Sequence, residues 1–206
     1  DAQGKKQGIW KKYYPSDKLY FTGTFKDDAK TGVFIYYYEN GHPMGKYSFF
    51  DKGNRCLFEG FYESDSVKAK GFYRDEKKDS VWSYYYENGM LSSTGKYIAD
   101  KEEGLWKVFY EDGTPLENSV YKAGKKEGES KTYYPDGKVK LDTHILNGNF
   151  DGLSRFYHEN GKLSQEGIYR NGLRDSTWSH FTDSGSLEYL EFYSKGKLLR
   201  TEEQKK

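Results

Sequence analysis

Aromatic and polar positions follow one another along this chain in a pattern that returns every 24 residues. Copies open at Gly8, Gly32, Cys56, Ser80, Gly104, Gly128, Gly152 and Ser176, so eight of them fill residues 8–199 without insertion or deletion. A fixed period of this kind is the signature of a repeat architecture. With each copy numbered from offset 0, that first position is always small. Offset 2 is Trp10, Phe34, Phe58, Trp82, Trp106 or Trp178, with Ser130 and Ser154 in the sixth and seventh copies. Offset 5 is a ring throughout: Tyr13, Tyr37, Phe61, Tyr85, Phe109, Tyr133, Tyr157 and Phe181. Offset 6 is tyrosine except for His158 and Thr182, and offset 17 is aromatic except for Ile145.

Turn residues punctuate the rings. Glu39-Asn40-Gly41, Glu87-Asn88-Gly89, Glu111-Asp112-Gly113 and Glu159-Asn160-Gly161 sit between offsets 6 and 11. Asn-Gly and Asp-Gly between apolar runs predict a two-residue type I′ hairpin, which needs positive φ at both residues. A second turn falls near offsets 19–22, as at Ala123-Gly124 and Asn171-Gly172. Two strands per copy follow, about sixteen in all, each of ordinary length. A two-residue loop makes paired offsets sum to 17. Small offset 0 then faces ring 17, ring 2 faces offset 15 (Gly23, Gly71, Gly95 and Gly167), and offset 6 faces aliphatic offset 11. A ring beside a bare glycine covers exposed backbone. Period-two alternation puts these positions on one face, the core. Offset 5 points to the other face, as a row of rings on a polar surface, unless a one-residue slip reverses it.

The expected fold is therefore all-β: an elongated single-layer antiparallel β-meander of repeated β-hairpins. Residues 1–7 form a loose or capping N-terminus. The array runs through copies 8–31, 32–55, 56–79, 80–103, 104–127, 128–151, 152–175 and 176–199. Residues 200–206 form a charged C-terminal cap or tail, suited to blunting an edge that would otherwise recruit another chain.

Charge narrows the function. Lys+Arg number 33 against Asp+Glu 32, a net charge of +1, which gives no basic footprint for nucleic acid. No apolar run is long enough to serve as a transmembrane helix. The single cysteine, Cys56, excludes an internal disulfide and reads as a substitute for Gly or Ser. A signal peptide trimmed ahead of Asp1 would place the chain in the periplasm or envelope, and its absence in the cytoplasm; the residues do not choose. His42, His144, His158 and His180 share no offset, and zinc spacings are absent. Asn147–Asp151 lacks the order of a calcium loop and reads as a turn. The expectation is no catalysis, no metal and no cofactor.

The pattern G-x-W-x-x-Y-Y-x-N-G-x-L-x-x-x-G-x-Y-x-x-G-K-x-x-G is carried most fully by Ser80–Glu103 and Gly152–Asp175. It resembles the MORN-repeat variant of bacterial proteins, many of them grouped as YwqK-type antitoxins, and the likeness covers residues 8–199. The resemblance implies a hairpin array that works by binding. For classical MORN repeats it implies scaffolding and phospholipid contact, from which the 24-residue step and paired aromatics depart. The expected function is a non-catalytic scaffold that binds a protein partner through the offset-5 rings, antitoxin- or immunity-like. Exposed Tyr and Trp supply rigid contact area at low entropy cost. The alternative is an envelope or glycan-binding module, and the third reading is membrane-lipid contact.

Overall fold

The computed structural model describes residues 3–204. It is all-β, and among the described residues the only helical turn is the 3-10 segment Asp51–Gly53. The expectations for both termini fall partly on Asp1, Ala2, Lys205 and Lys206, which lie outside the described residues. The chain divides into two compact units, Asp1–Lys101 and Glu102–Lys206. The first is an antiparallel meander of β1 (Gly8–Tyr13), β2 (Leu19–Lys26), β3 (Ala29–Tyr37), β4 (Pro43–Phe50), β5 (Arg55–Phe61), β6 (Val67–Arg74), β7 (Lys77–Tyr85) and β8 (Leu91–Ile98). Each strand pairs with the next. The second meander contains β9 (Lys101–Phe109), β10 (Pro115–Lys122), β11 (Lys125–Tyr133) and β12 (Val139–Leu146). It continues through β13 (Asn149–Phe150), β14 (Gly152–Tyr157), β15 (Leu163–Arg170), β16 (Leu173–Phe181), β17 (Leu187–Ser194) and β18 (Lys197–Glu203). The strands outnumber the expected sixteen because Asp151 cuts one strand into β13 and β14, and because β18 runs into the charged tail.

The turns are assigned the other way round from the expectation. At Asn40-Gly41 the Tyr38 amide donates to His42 O (2.9 Å) and the Gly41 amide to Tyr38 O (3.0 Å). Only Gly41 of the pair has positive φ, at 93°. This is a three-residue loop closed by a left-handed residue, a type I turn with a bulge. Asn40 is there for its side chain, whose Oδ1 accepts the His42 amide at 3.0 Å. The type I′ turns are the second ones: Asp27-Asp28 (φ 50° and 66°), Asp75-Glu76 (50° and 63°) and Asn171-Gly172 (50° and 79°). Pairing by the sum of 17 nevertheless holds from offset 0 to offset 4, as in Trp10↔Gly23 and Trp82↔Gly95. The register shifts between offsets 4 and 5, which compensates for the longer loop.

The ring that covers a glycine comes from the following copy. Between Thr22↔Ile35 and Thr24↔Thr31, the three residues Gly32, Val33 and Phe34 stand across from Gly23 alone. This three-against-one bulge swings Phe34 back over Gly23, and the same geometry lays Trp82 on Gly71 and Trp178 on Gly167. A β-carbon at any of those glycines would lie inside the ring. The bulge opens on positive φ at Gly32 (65°), Ser80 (63°) and Ser176 (60°). That backbone demand favours a small residue at offset 0. Where the ring is lost the glycine is lost too. Ser119 pairs with Ser130 through their hydroxyls at 2.7 Å, and Thr143 with Ser154 at 2.5 Å.

A cationic roof closes four of these rings from above. Lys78 Nζ lies 4.7 Å from the Trp82 ring, 5.2 Å from Tyr84 and 5.0 Å from Tyr97. Arg174 Cζ lies 4.2 Å from Trp178, and Lys6 and Lys30 cover Trp10 and Phe34 in the same way. All four cations occupy offset 22. Their alkyl stems exclude water while the charge faces the ring. Glycine below, edge-on neighbours such as Tyr73 (5.0 Å) beside, and a cation above leave Trp82 only 1% exposed. That is how one sheet layer builds an interior.

Candidate binding face

The predicted row, Tyr13, Tyr37, Phe61, Tyr85, Phe109, Tyr133, Tyr157 and Phe181, closes its strands one by one. Each ring pairs with offset 11, as Tyr37↔Pro43, Phe61↔Val67, Tyr85↔Leu91 and Tyr157↔Leu163. The expected partner of offset 11 was offset 6; the three-residue loop moves that pairing by one. The extra residue at offset 12 absorbs the shift, so offset 5 stays opposite to the tryptophan face. Tyr85 accordingly lines one depression with Leu57, Glu59, Phe72, Val81 and Ser83, all outward positions. Tyr13 is half exposed, and the other seven are partly buried.

Their carbonyls have a separate task. The Tyr14 hydroxyl donates to Tyr37 O (2.7 Å), Tyr38 to Phe61 O (2.9 Å) and Tyr62 to Tyr85 O (2.8 Å). Tyr110 and Tyr134 repeat this at Tyr133 and Tyr157. His158 takes the tyrosine's place, with Nε2 at 2.9 Å from Phe181 O. Within each unit offset 6 therefore ties a hairpin to the one after it, 23 positions on. The backbone of the aromatic row is held in place while its rings face outward.

A second row was missed in the sequence. Offset 1 is aliphatic in six copies, and its side chains stand in water: Ile9 74% exposed, Val33 45%, Leu57 55% and Val81 61% in the first unit. In the second unit Leu105 and Leu153 hold the same offset, which Glu129 and Thr177 fill in the other two copies. The signal was legible as an aliphatic residue directly before the ring, one step out of phase with the core. Cross-strand apolar pairs widen the row at Leu57↔Phe72, Leu105↔Val120 and Leu153↔Ile168. Between the aliphatic and aromatic rows, charges compensate each other. Glu59 meets Lys70 (3.2 Å) and Lys46 (3.6 Å), Lys131 meets Asp142 (3.0 Å), and Arg155 meets Glu166 (3.0 Å).

The structure does not gather the histidines. His42 faces Asp65 in a loop (2.9 Å), His158 is tied as above, and His180 lies 2.8 Å from Glu191. Among the described residues no group of three His, Cys, Asp or Glu is placed to hold a metal. Cys56 is buried, and burial pushes its thiol up despite nearby Lys30, so it is a poor nucleophile. It sits where β4 and β5 pair regularly without the three-residue bulge, so no positive φ is required of it.

Comparison with known proteins agrees with the repeat. No curated protein matches the sequence. Among solved structures the chain is similar to part of the crystal structure of TcdB2-TccC3, at 11% identity and a TM-score of 0.25. The match covers 92% of this chain and 13% of that chain. The crystal structure of TcdB2-TccC3-Cdc42 gives 11% identity, a TM-score of 0.24, and coverage of 92% and 12%. A likeness at this level carries no argument. The family described as MORN repeat variant matches residues 6–27, 30–51, 78–99, 102–123, 126–147 and 150–171. Those segments begin at offset 22 and span well over half of the sequence, and the chain belongs to the MORN repeat variant family.

Proposed function

We propose that this repeat scaffold binds a protein partner on the outward face of its first unit, covering it in the manner of an antitoxin or immunity protein. The observation that carries this reading is the exposed aliphatic row Ile9, Val33, Leu57 and Val81 beside the rings Tyr13, Tyr37, Phe61 and Tyr85. Monomeric surfaces rarely leave a contiguous apolar strip open to water unless something contacts it. Successive members lie two strands apart, roughly 10 Å, so the strip suits a broad partner surface. Glu59 offsets one of the two lysines beside it, Lys46 and Lys70, and a chain of net charge +1 offers little to draw anionic lipid or nucleic acid.

The test is quantitative co-purification with lysine cross-linking, comparing the wild-type chain with Val81→Asp/Tyr85→Ala. The expected outcome is a partner cross-linked at Lys46 or Lys70 in the wild type. Its recovery should fall at least about tenfold in the variant, since apolar anchors dominate such contacts, with the unfolding transition nearly unchanged. Equal recovery from both chains overturns the assignment, as does binding to liposomes or a glycan array in place of a protein.

A further inference from the structure

Phe58, the ring of copy three, lacks the cationic roof of Trp10, Phe34, Trp82 and Trp178. Asn54 stands at the offset held by Lys6, Lys30, Lys78 and Arg174 elsewhere. The turn before it is a four-residue loop, Asp51–Asn54, in place of a two-residue type I′ turn. Tyr47 occupies the glycine position and pairs directly with Phe58. Residues 52–77 are also missing from the family matches. At this irregularity the ring face of the first unit opens into a cavity of about 490 Å³.

The cavity's walls are Tyr36, Tyr47, Phe49 and Tyr73, with the Cys56 thiol buried among them. Tyr47 and Tyr73 stack 6.2 Å apart, and Tyr36 meets Tyr47 edge-on at 5.5 Å. The offset-6 tyrosines Tyr14, Tyr38 and Tyr62 of this unit spend their hydroxyls on the backbone. Those of Tyr36, Tyr47 and Tyr73 make no hydrogen bond to another described residue, nor does the Asn54 side chain. Burial, reinforced by the neighbouring phenols, raises the pKa of all three tyrosines, so each hydroxyl stays protonated as both donor and acceptor. At the rim, Lys30 and Lys52 balance Asp28 and Glu76.

This combination selects a chemistry. Balanced rim charges give little preference for an anion or a cation. Ring faces suit the C–H faces of a ligand, and open phenols and a carboxamide suit its hydroxyls. The volume lies within the range of small-molecule pockets. We propose that the cavity binds a neutral saccharide of one or two sugar units, stacked on Tyr47 and Tyr73 and hydrogen-bonded by Tyr36, Tyr73 and Asn54. The site lies on the face opposite to the aliphatic strip and is independent of the protein-binding reading.

The test is titration of the 15N-labelled full chain with glucose, galactose, mannose, N-acetylglucosamine and cellobiose, each to about 20 mM, where millimolar affinities register. At least one sugar is expected to shift the amides of residues 29–30, 47–56 and 73–76. Asn54→Lys, which restores the roof residue of other copies, should weaken that binding at least about tenfold. Tyr73→Phe should weaken it about three- to tenfold, the worth of one hydrogen bond, and keeps the test decisive if Asn54→Lys fails to fold. The proposal is overturned if no sugar shifts these amides in the wild type, or if the variants that fold bind as tightly as the wild type. It is equally overturned if tetramethylammonium or acetate, but no sugar, occupies the cavity.

Discussion

Gly71 and Trp82 show how much a single missing side chain does. The indole lies flat on the glycine backbone, its Nε1 donating to Phe72 O at 3.1 Å. Gly71→Ser forces a β-carbon into the ring and should cost about 2–3 kcal/mol through overpacking. Trp82→Ser empties the site and should cost about 3–5 kcal/mol. The second unit already contains the answer to both changes, in the hydroxyl pairs Ser119–Ser130 and Thr143–Ser154. The double variant should therefore be more stable than the two losses added together, by about 1–2 kcal/mol in a urea-denaturation cycle. Strict additivity would mean the two residues do not share a site. The pairing of rings with glycines was legible in the sequence, but its address was not. Alternation pointed to Trp82 and Gly95, which are indeed Cα partners. The ring instead covers Gly71 of the preceding copy, because a bulge of three residues against one swings it back, and periodicity carries no trace of such a bulge.

The hairpins teach the complementary lesson about elements. Asn-Gly was read as the tightest turn, yet Asn40 and Asn88 accept the amides of His42 and Met90 at the head of a three-residue loop. The I′ geometry went to the second turns, which hold positive φ on both residues even at the acidic pairs Asp27-Asp28 and Asp75-Glu76. A left-handed backbone costs a residue with a β-carbon roughly 1–2 kcal/mol. Glu76→Gly should therefore stabilise the chain by about 1 kcal/mol, raising the urea midpoint without changing the slope. A neutral or harmful effect would show that Glu76 holds a contact beyond its turn. Strand existence, the period and the outward aromatic row were all readable from side-chain spacing. The offset-1 aliphatics were readable in principle and were overlooked beside the larger rings.

At the scale of the whole molecule, the first unit depends on phenols that must stay neutral. Burial raises Tyr36, Tyr47 and Tyr73, the last to about 12. A raised value in the folded state means that this contribution is intact below the ordinary tyrosine pKa of about 10. It is then lost as pH climbs through the folded value. Alkaline unfolding of this unit should begin above pH 10 and track phenolate absorbance up to about pH 12. Tyr73→Phe should flatten the pH dependence in that interval; an unaltered slope would assign it to other groups. The hydroxyl ties from Tyr14, Tyr38, Tyr62, Tyr110 and Tyr134 have a different kind of consequence. Each reaches a carbonyl 23 positions ahead, so each of these copies is finished by its successor and the spacing belongs to no single copy. Tandem duplication or deletion of whole 24-residue blocks would leave each tie with a matching acceptor, while a change of even one residue would strand every tie that crosses it. Such a lineage can lengthen or shorten only in quanta, and the unbroken period from Gly8 to Ser176 is what growth under that restriction leaves behind.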